Sequence, residues 1–283
     1  MNAFENKAAG NPLTGKRVVV LGAGKMGGIL LRALIEKKLL APEQASATVA
    51  HAEKAERLSK EWGVNVGTGN AAAARLADVI LLAVKPQVVS SVLKEIAPVL
   101  NKGKVIISIA ASVPTDFIEK ALGVEMPVLR AMPNTPCSVG VGMTGICKGH
   151  FTRPEDPEMA RAMFDAVGKT VVVDEKLMDA VTGLSASGPA FAYIILESLA
   201  EGGVKVGLPR DVATLLASQM MLGAASVAIQ TGHHPAMLKD AVTTPAGCTI
   251  DGILELEEGK LRVTLIKAVV KATQRAHDIL FEG

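Results

Sequence analysis

Aromatic side chains are nearly missing from this chain, with one Trp, one Tyr and six Phe in 283 residues. Without large rings, the interior has to be closed by Ala, Val, Leu, Ile and Met, which suits helix faces lying close together on small side chains. Cysteine is sparse as well. Cys137, Cys147 and Cys248 show no C-x-x-C spacing, so neither a disulfide frame nor a zinc site is expected, and no metal ligand set is read. No charge of one sign prevails. The formal net charge is +2 and no basic block stands out, which argues against a nucleic-acid partner. The leading residues MNAFENKAAGNPLTGK carry no apolar segment of the secretory kind. They read as a frayed lead-in to a first strand, with the cytoplasm as the expected compartment.

Charge is also absent from one long stretch. Between Val212 and Leu238 there is no Asp, Glu, Lys or Arg. Thr214, Ser218, Gln219, Ser226 and Gln230 interrupt it, and a lipid-facing span is more uniformly apolar. A helix buried in a core or a subunit interface is the better reading, and no membrane association is expected.

What is present divides in two. A chain of this length suits two domains better than one core. In the first half, short β-branched runs alternate with helical spacing: KRVVVLG (16–22), ATVA (47–50), VNV (64–66), DVILLAV (78–84), KVIISIA (104–110) and MPVLRAMP (126–133). Strands separated by helices imply βαβ units and a parallel sheet. Residues 139–147 and 169–174 are candidate edge strands around a helix at 155–167. After Asp174 the strand pattern stops, and helices are expected at 176–186, 188–206, 209–230, 235–243, 249–257 and 260–281. The expected fold class is α/β: a Rossmann-type dinucleotide-binding domain at 1–174, then an all-α substrate and dimerisation domain at 175–283.

The glycines of LGAGKMG read Gly22-x-Gly24-x-x-Gly27, directly after the first strand and opening the first helix. In that setting the first glycine permits the tight turn. The second admits a pyrophosphate to the positive helix start. Dinucleotide sites that prefer NAD usually end the second strand with an acid for the ribose hydroxyls. Here the tip reads TVAHAEKAE, with His51 in that place. NADP(H) is therefore favoured, with NAD as the alternative, and His51 and Lys54 are the candidates for part of a 2′-phosphate contact. Ligands in such sheets lie outside the strands' carboxyl ends. That brings Lys85 and Gln87 of AVKPQ, and the small residues of SIAAS, beside the cofactor.

Five stretches together resemble the pyrroline-5-carboxylate reductases. They are LGAGKMG, DVILLAVKPQ, LRAMPNTPCSVGVGMTGI, DAVTGLSASGPAFAYIILESLAEGGVKVGLPRDVA and HPAMLKDAVTTPAGCTIDGILELEEG, in family order over nearly the whole chain. The resemblance implies NAD(P)H-dependent reduction of the cyclic imine Δ1-pyrroline-5-carboxylate to L-proline. It implies a homodimer through the C-terminal helices, often assembled into decamers. Carried over residue by residue, it implies that Gly22, Ala23, Gly24, Lys25 and Met26 meet the pyrophosphate. Ala83, Val84, Lys85 and Pro86 would line the nucleotide, Ala110 and Ala111 would lie near the nicotinamide, and Pro133 and Asn134 would border the ring. Val242, Thr243, Thr244, Gly247, Cys248 and Thr249 would form the substrate pocket, with Thr249 as proton donor to the imine nitrogen.

Two positions depart from the family pattern: Ala186 and Ala246 stand where glycine is common, and Ala246 costs energy if its backbone needs a positive φ. The segment DAVTTPAGCTIDG has no His or Lys for proton transfer. An imine makes that intelligible, because an iminium already carries its proton and a hydroxyl suffices. A β-hydroxyacid dehydrogenase would call for a catalytic Lys with Asn a helical turn later, and no convincing such pair follows residue 174. A non-catalytic relative would have lost the threonines, which are intact.

Overall fold

The computed structural model describes residues 10–278. The first nine residues of the expected lead-in, and the last three of the expected final helix, lie outside the described residues. Two compact units form. One comprises the chain up to Ala186 together with the segment from Ala272 on; the other is Ser187–Lys271.

The first unit is built on eight strands: β1 (Val18–Leu21), β2 (Ala45–Thr48), β3 (Asn65–Gly67), β4 (Val79–Leu82), β5 (Val105–Ser108), β6 (Val128–Met132), β7 (Gly142–Lys148) and β8 (Gly168–Val172). Their order is β3-β2-β1-β4-β5-β6-β7-β8. Helices α1 (Lys25–Glu36), α2 (Ala52–Trp62), α3 (Asn70–Leu76), α4 (Pro86–Ile96) and α5 (Thr115–Leu122) connect the first six, and α6 (Asp156–Asp165) connects the last two. Every residue of β1, β4 and β5 is buried, as expected for parallel strands covered on both faces. Successive side chains go to opposite layers. Val18 and Val20 join Leu30, Leu34 and Phe164 on one side, while Val19 and Leu21 join Val89, Leu93 and Ile118 on the other.

The sheet is not wholly parallel, as the alternation of strands and helices had implied. β7 runs antiparallel to β6, and β8 parallel to β7. The segment 133–141 holds only a short turn of 3₁₀ helix, too little chain for a crossover, so the strand must fold straight back.

The helix expected at 176–186 is also interrupted. A 3₁₀ turn at Glu175–Leu177 leads into α7 (Met178–Val181) and then a π-turn at Thr182–Ala186. At Gly183 the chain passes so close to Thr273 that an added Cβ would stand 2.8 Å from its backbone nitrogen. Val181 packs on Gly145 of β7 in the same manner. These contacts hold the chain up to Ala186 in the first compact unit.

The second unit consists of α8 (Gly188–Lys205), α9 (Arg210–Thr231), α10 (Pro235–Ala241), α11 (Cys248–Glu258) and the first part of α12 (Leu261–Asp278). α8 and α9 approach closely: a Cβ on Gly203 would lie 2.9 Å from that of Ala213. Its buried cluster consists of Ala200, Ala213 and Ala217. Among the described residues, α9 is the one helix long and apolar enough to cross a membrane, and its apolar surface is largely uncovered in the single chain.

The cysteines occupy different surroundings. Cys137 and Cys147 are buried and Cys248 is exposed at the start of α11. Burial pushes the Cys147 thiol up to about 12, with the Glu175 charge adding to it and Arg130 opposing. Burial raises that of Cys137 as well. Since the thiolate is the reactive form, the native protein at pH 8 is expected to react with Ellman's reagent at one thiol per chain. Guanidinium should release the other two, and a Cys248→Ser variant should show no fast phase.

Candidate active site

The turn after β1 builds a candidate site in the first unit. Gly22 adopts φ +85, and a side chain there would collide with Val84, 2.5 Å from its Cγ1. The N–H groups of Gly22 and Ala23 donate to the Thr48 carbonyl at 3.1 and 2.7 Å, which ties the turn to the end of β2. Gly27 lets α1 settle on the sheet, since its Cβ would stand 2.8 Å from Val20 Cγ1. Gly24 differs: an added Cβ meets nothing closer than the Gly22 carbonyl at 3.9 Å, so space is open on that side. The α1 start has no side-chain cap and no acid in its first turn. Uncapped N–H groups at a helix start, beside open space and free of negative charge, fit a pyrophosphate.

A crevice of about 370 Å³ adjoins this turn. Gly22, Ala23, Gly24, Ala83, Val84 and Lys85 line it. Lys25, which is exposed, and Met26, which packs against the core, open α1 and lie outside that lining. Pro86 is the first residue of α4, where its missing N–H costs nothing. Ala110 and Ala111 follow β5, one strand beyond Ala83 and Val84, and Ile109 N–H donates to the Leu82 carbonyl at 2.9 Å. Asn134 spends its amide on the fold. Its Oδ1 accepts from Met143 N–H at 2.9 Å, and its Nδ2 donates to the Ser185 carbonyl at 3.2 Å.

At the tip of β2 the crevice wall is Val49, Ala50 and Lys54. His51 is exposed, precedes α2 as its N-cap, and lies outside that lining. The sequence reading passed over Thr48, Thr68 and Asn70, which also line the crevice. Thr48 Oγ1 donates to Asn70 Oδ1 at 2.7 Å, and Asn70 Nδ2 donates to Glu95 Oε2 at 2.7 Å. The available signal was a polar residue opening a helix just after a strand tip; its reach across to β2 is a matter of strand pairing. A larger groove of about 730 Å³, lined by Asp116, Glu119, Lys148 and His150, lies where β6 begins and β7 ends, at the opposite edge of the sheet.

A separate candidate site, in the second unit, is the loop between α10 and α11. Gly247 N–H donates to the Thr244 carbonyl at 3.1 Å, closing a turn with Pro245 and Ala246 at its centre. Proline followed by a positive φ is the pattern of a type II turn, whose third residue is ordinarily glycine. Ala246 holds φ +56 there. A Cβ on Gly247 would strike Thr244 Oγ1, so a side chain there would make the threonine hydroxyl turn away. Gly247 is the N-cap of α11, which has no side-chain cap, so the first N–H groups of Cys248 and Thr249 remain available.

The three threonines are not equivalent. Thr243 Oγ1 donates to the Lys239 carbonyl at 2.8 Å. Among the described residues, the hydroxyls of Thr244 and Thr249 make no such bond. Val242 is exposed and Thr249 half-buried. His234 caps α10 by accepting from Ala236 N–H at 3.2 Å, and no cluster able to hold a metal occurs among the described residues. The strained turn carries its own test. Ala246→Gly is expected to stabilise the protein by about 1 kcal/mol in denaturant melts, since alanine pays for the left-handed backbone and glycine does not.

Comparison with known proteins bears on both sites. A family model described as pyrroline-5-carboxylate reductase dimerisation matches residues 175–279. One described as NADP oxidoreductase, coenzyme F420-dependent, matches residues 17–112. The pyrroline-5-carboxylate reductase of Methanosarcina acetivorans is 43% identical over 264 residues, covering 93% of this chain and 98% of that one. Among solved structures, the Coxiella burnetii pyrroline-5-carboxylate reductase superposes with a TM-score of 0.88 at 34% identity, covering 93% of this chain and 98% of that one. The Plasmodium falciparum pyrroline carboxylate reductase, solved with NADP bound, gives 0.84 at 29% identity, covering 94% and 98%. The α/β fold with a helical C-terminal region is thus shared along nearly the full length. A glycine-loop crevice, a threonine turn at an uncapped helix start and these relatives place the chain in one family: it belongs to the pyrroline-5-carboxylate reductases.

Proposed function

We propose that this protein reduces the C=N bond of Δ1-pyrroline-5-carboxylate to L-proline, the last step of proline synthesis, with NADPH favoured and NADH as the alternative. The observation that carries the proposal is the start of α11. It has uncapped N–H groups and two unspent hydroxyls, in a chain whose other unit holds a dinucleotide crevice.

NADPH, when bound, supplies the hydride. The chain's own residues bind, orient and hold a proton. Gly22–Gly24 and the α1 start take the pyrophosphate, and Ala83–Lys85 flank the nucleotide. The imine carbon must come within about 3 to 3.5 Å of the nicotinamide C4, so orientation is the main demand on the protein. The N–H groups of Cys248 and Thr249 take the substrate carboxylate, as helix starts do for anions. Thr244 adds a hydroxyl donor to it. Thr249 Oγ hydrogen-bonds the ring nitrogen and relays its proton, so that the C=N pair moves onto nitrogen as hydride reaches carbon. Thr243, whose proton is spent on Lys239, and Val242 shape the loop. Pro133 and Asn134 hold the connection beside the strand ends.

Functionally, residues 1–174 act as the nucleotide-binding part and 175–283 as the substrate and dimerisation part. The assembly is a homodimer through the C-terminal helices, with a decamer as the larger form. The support is physical: three buried alanines cannot hold five helices together, and Ile194, Leu215, Leu222, Ile229 and Ile266 stay more than half exposed in the single chain. The protein works in the cytoplasm, without membrane or nucleic acid.

Cofactor oxidation followed at 340 nm with pyrroline-5-carboxylate tests the reaction; turnover with neither NADPH nor NADH sinks it. Thr249→Ala is expected to lower kcat about 100-fold with little change in KM for NADPH. The same assay tests Lys54 as the contact to the 2′-phosphate. Lys54→Ala should raise KM for NADPH about tenfold, the loss of one charge-assisted hydrogen bond, and leave that for NADH unchanged. An equal rise for both cofactors would remove Lys54 from that role.

A further inference from the structure

Among the described residues, Ser112 is the one buried residue of four non-glycine positions that hold a left-handed backbone; Lys38, Ala246 and Lys260 are exposed. Its φ is +58 and its surface is 3% accessible. Residues of this kind persist where the surroundings over-determine them, and they gather at working sites. Here the surroundings are specific. Ser112 Oγ donates to the Ala276 carbonyl, in α12, at 2.8 Å. Ser112 directly follows Ala110 and Ala111, in the turn that carries the chain away from β5.

The same loop is fastened at its other end. Thr115 opens α5, and its N–H and hydroxyl donate to the two oxygens of Glu175 at 2.7 and 2.5 Å. Glu175 in turn stands 3.8 Å from the guanidinium of Arg130, a 3% exposed arginine in β6. The loop therefore has little freedom: one end is pinned by a carboxylate, the other by a hydroxyl to a helix carbonyl. Alanine would meet the same steric cost at φ +58, and glycine would avoid it, so serine's distinguishing feature at this position is the hydroxyl.

We propose that Ser112 is a positioning residue for hydride transfer: its bond to the Ala276 carbonyl holds Ala110 and Ala111 in the backbone arrangement against which the nicotinamide end of the cofactor is set. This rests on the reading that Ala110 and Ala111 border that end. Small displacements there are costly, since misplacement by an ångström is enough to lose orders of magnitude in rate.

The test compares Ser112→Ala, which removes the hydroxyl and keeps the strained backbone, with Ser112→Gly, which removes both hydroxyl and strain. The expected result for each variant that folds is a fall in kcat of tenfold or more. A larger primary isotope effect with 4-deuterated NADPH should accompany it. The Kd for 2′,5′-ADP, which lacks the nicotinamide, should stay within twofold of the wild type. The proposal is overturned if Ser112→Ala keeps the wild-type kcat and isotope effect, or if Ser112→Gly restores them. It is also overturned if 2′,5′-ADP binding weakens in step with the rate, which is what a merely structural residue would give. Ala111→Val separates the underlying reading. If it leaves NADPH kinetics unchanged, the nicotinamide does not lie against this loop. If it slows turnover while Ser112→Ala does not, only the role of Ser112 fails.

Discussion

No water reaches either side of β1, β4 or β5, and that two-sided burial organises the first unit. A strand covered on both faces has no surface left for function along its length. Whatever binds must do so at the strand ends, where the chain leaves the sheet. With β1 to β6 parallel, the turns after β1, β4 and β5 emerge along one edge. Gly22–Gly24, Ala83–Lys85 and Ala110–Ala111 come together there for that reason. The close contact between the Gly22 position and Val84 is the local form of the same constraint: two strand ends lie so near that one must have no side chain.

The second unit obeys a different rule. α8 and α9 meet on alanines with Leu196 and Val204 packed against them, while many other large aliphatic side chains of α8, α9 and α12 stay exposed. The scarcity of aromatics suits this, since close helix contact needs small residues. Burying the exposed aliphatic surface is the hydrophobic gain that a second chain supplies. The dimerisation family model over residues 175–279 agrees with such a need.

Of the four described non-glycine residues with a left-handed backbone, two, Ala246 and Ser112, stand in loops proposed to serve the chemistry. Ala246 takes the place of glycine in the turn that presents α11, and Ser112 takes a left-handed conformation beside Ala110 and Ala111. Natural sequences are locally consistent except where function or neighbouring structure outweighs the cost. At Ser112 the outweighing partner is visible as the Ala276 carbonyl. At Ala246 the turn is held by Gly247 N–H on the Thr244 carbonyl, and by proline before it.

Much of this was legible along the chain. Short apolar runs marked the strands because buried parallel strands are apolar throughout. The glycine spacing marked the nucleotide turn because that turn needs a positive φ and close packing at fixed offsets. The positive φ at Ala246 was foreseeable from proline and glycine on either side. What no stretch of sequence contained were the relations between distant segments. That β7 turns back against β6 was decided by the shortness of 133–141. That Asn70 and Lys54, not His51, wall the crevice was decided by how β2 and β3 pair. That the helix expected at 176–186 breaks into a π-turn was decided by the approach of Thr273 to Gly183, and that Ser112 is held at all was decided by where α12 passes the β5 turn. Periodicity and spacing report on neighbours in the chain. Hydrogen bonds across 51 or 164 residues exist only once packing has brought their ends together.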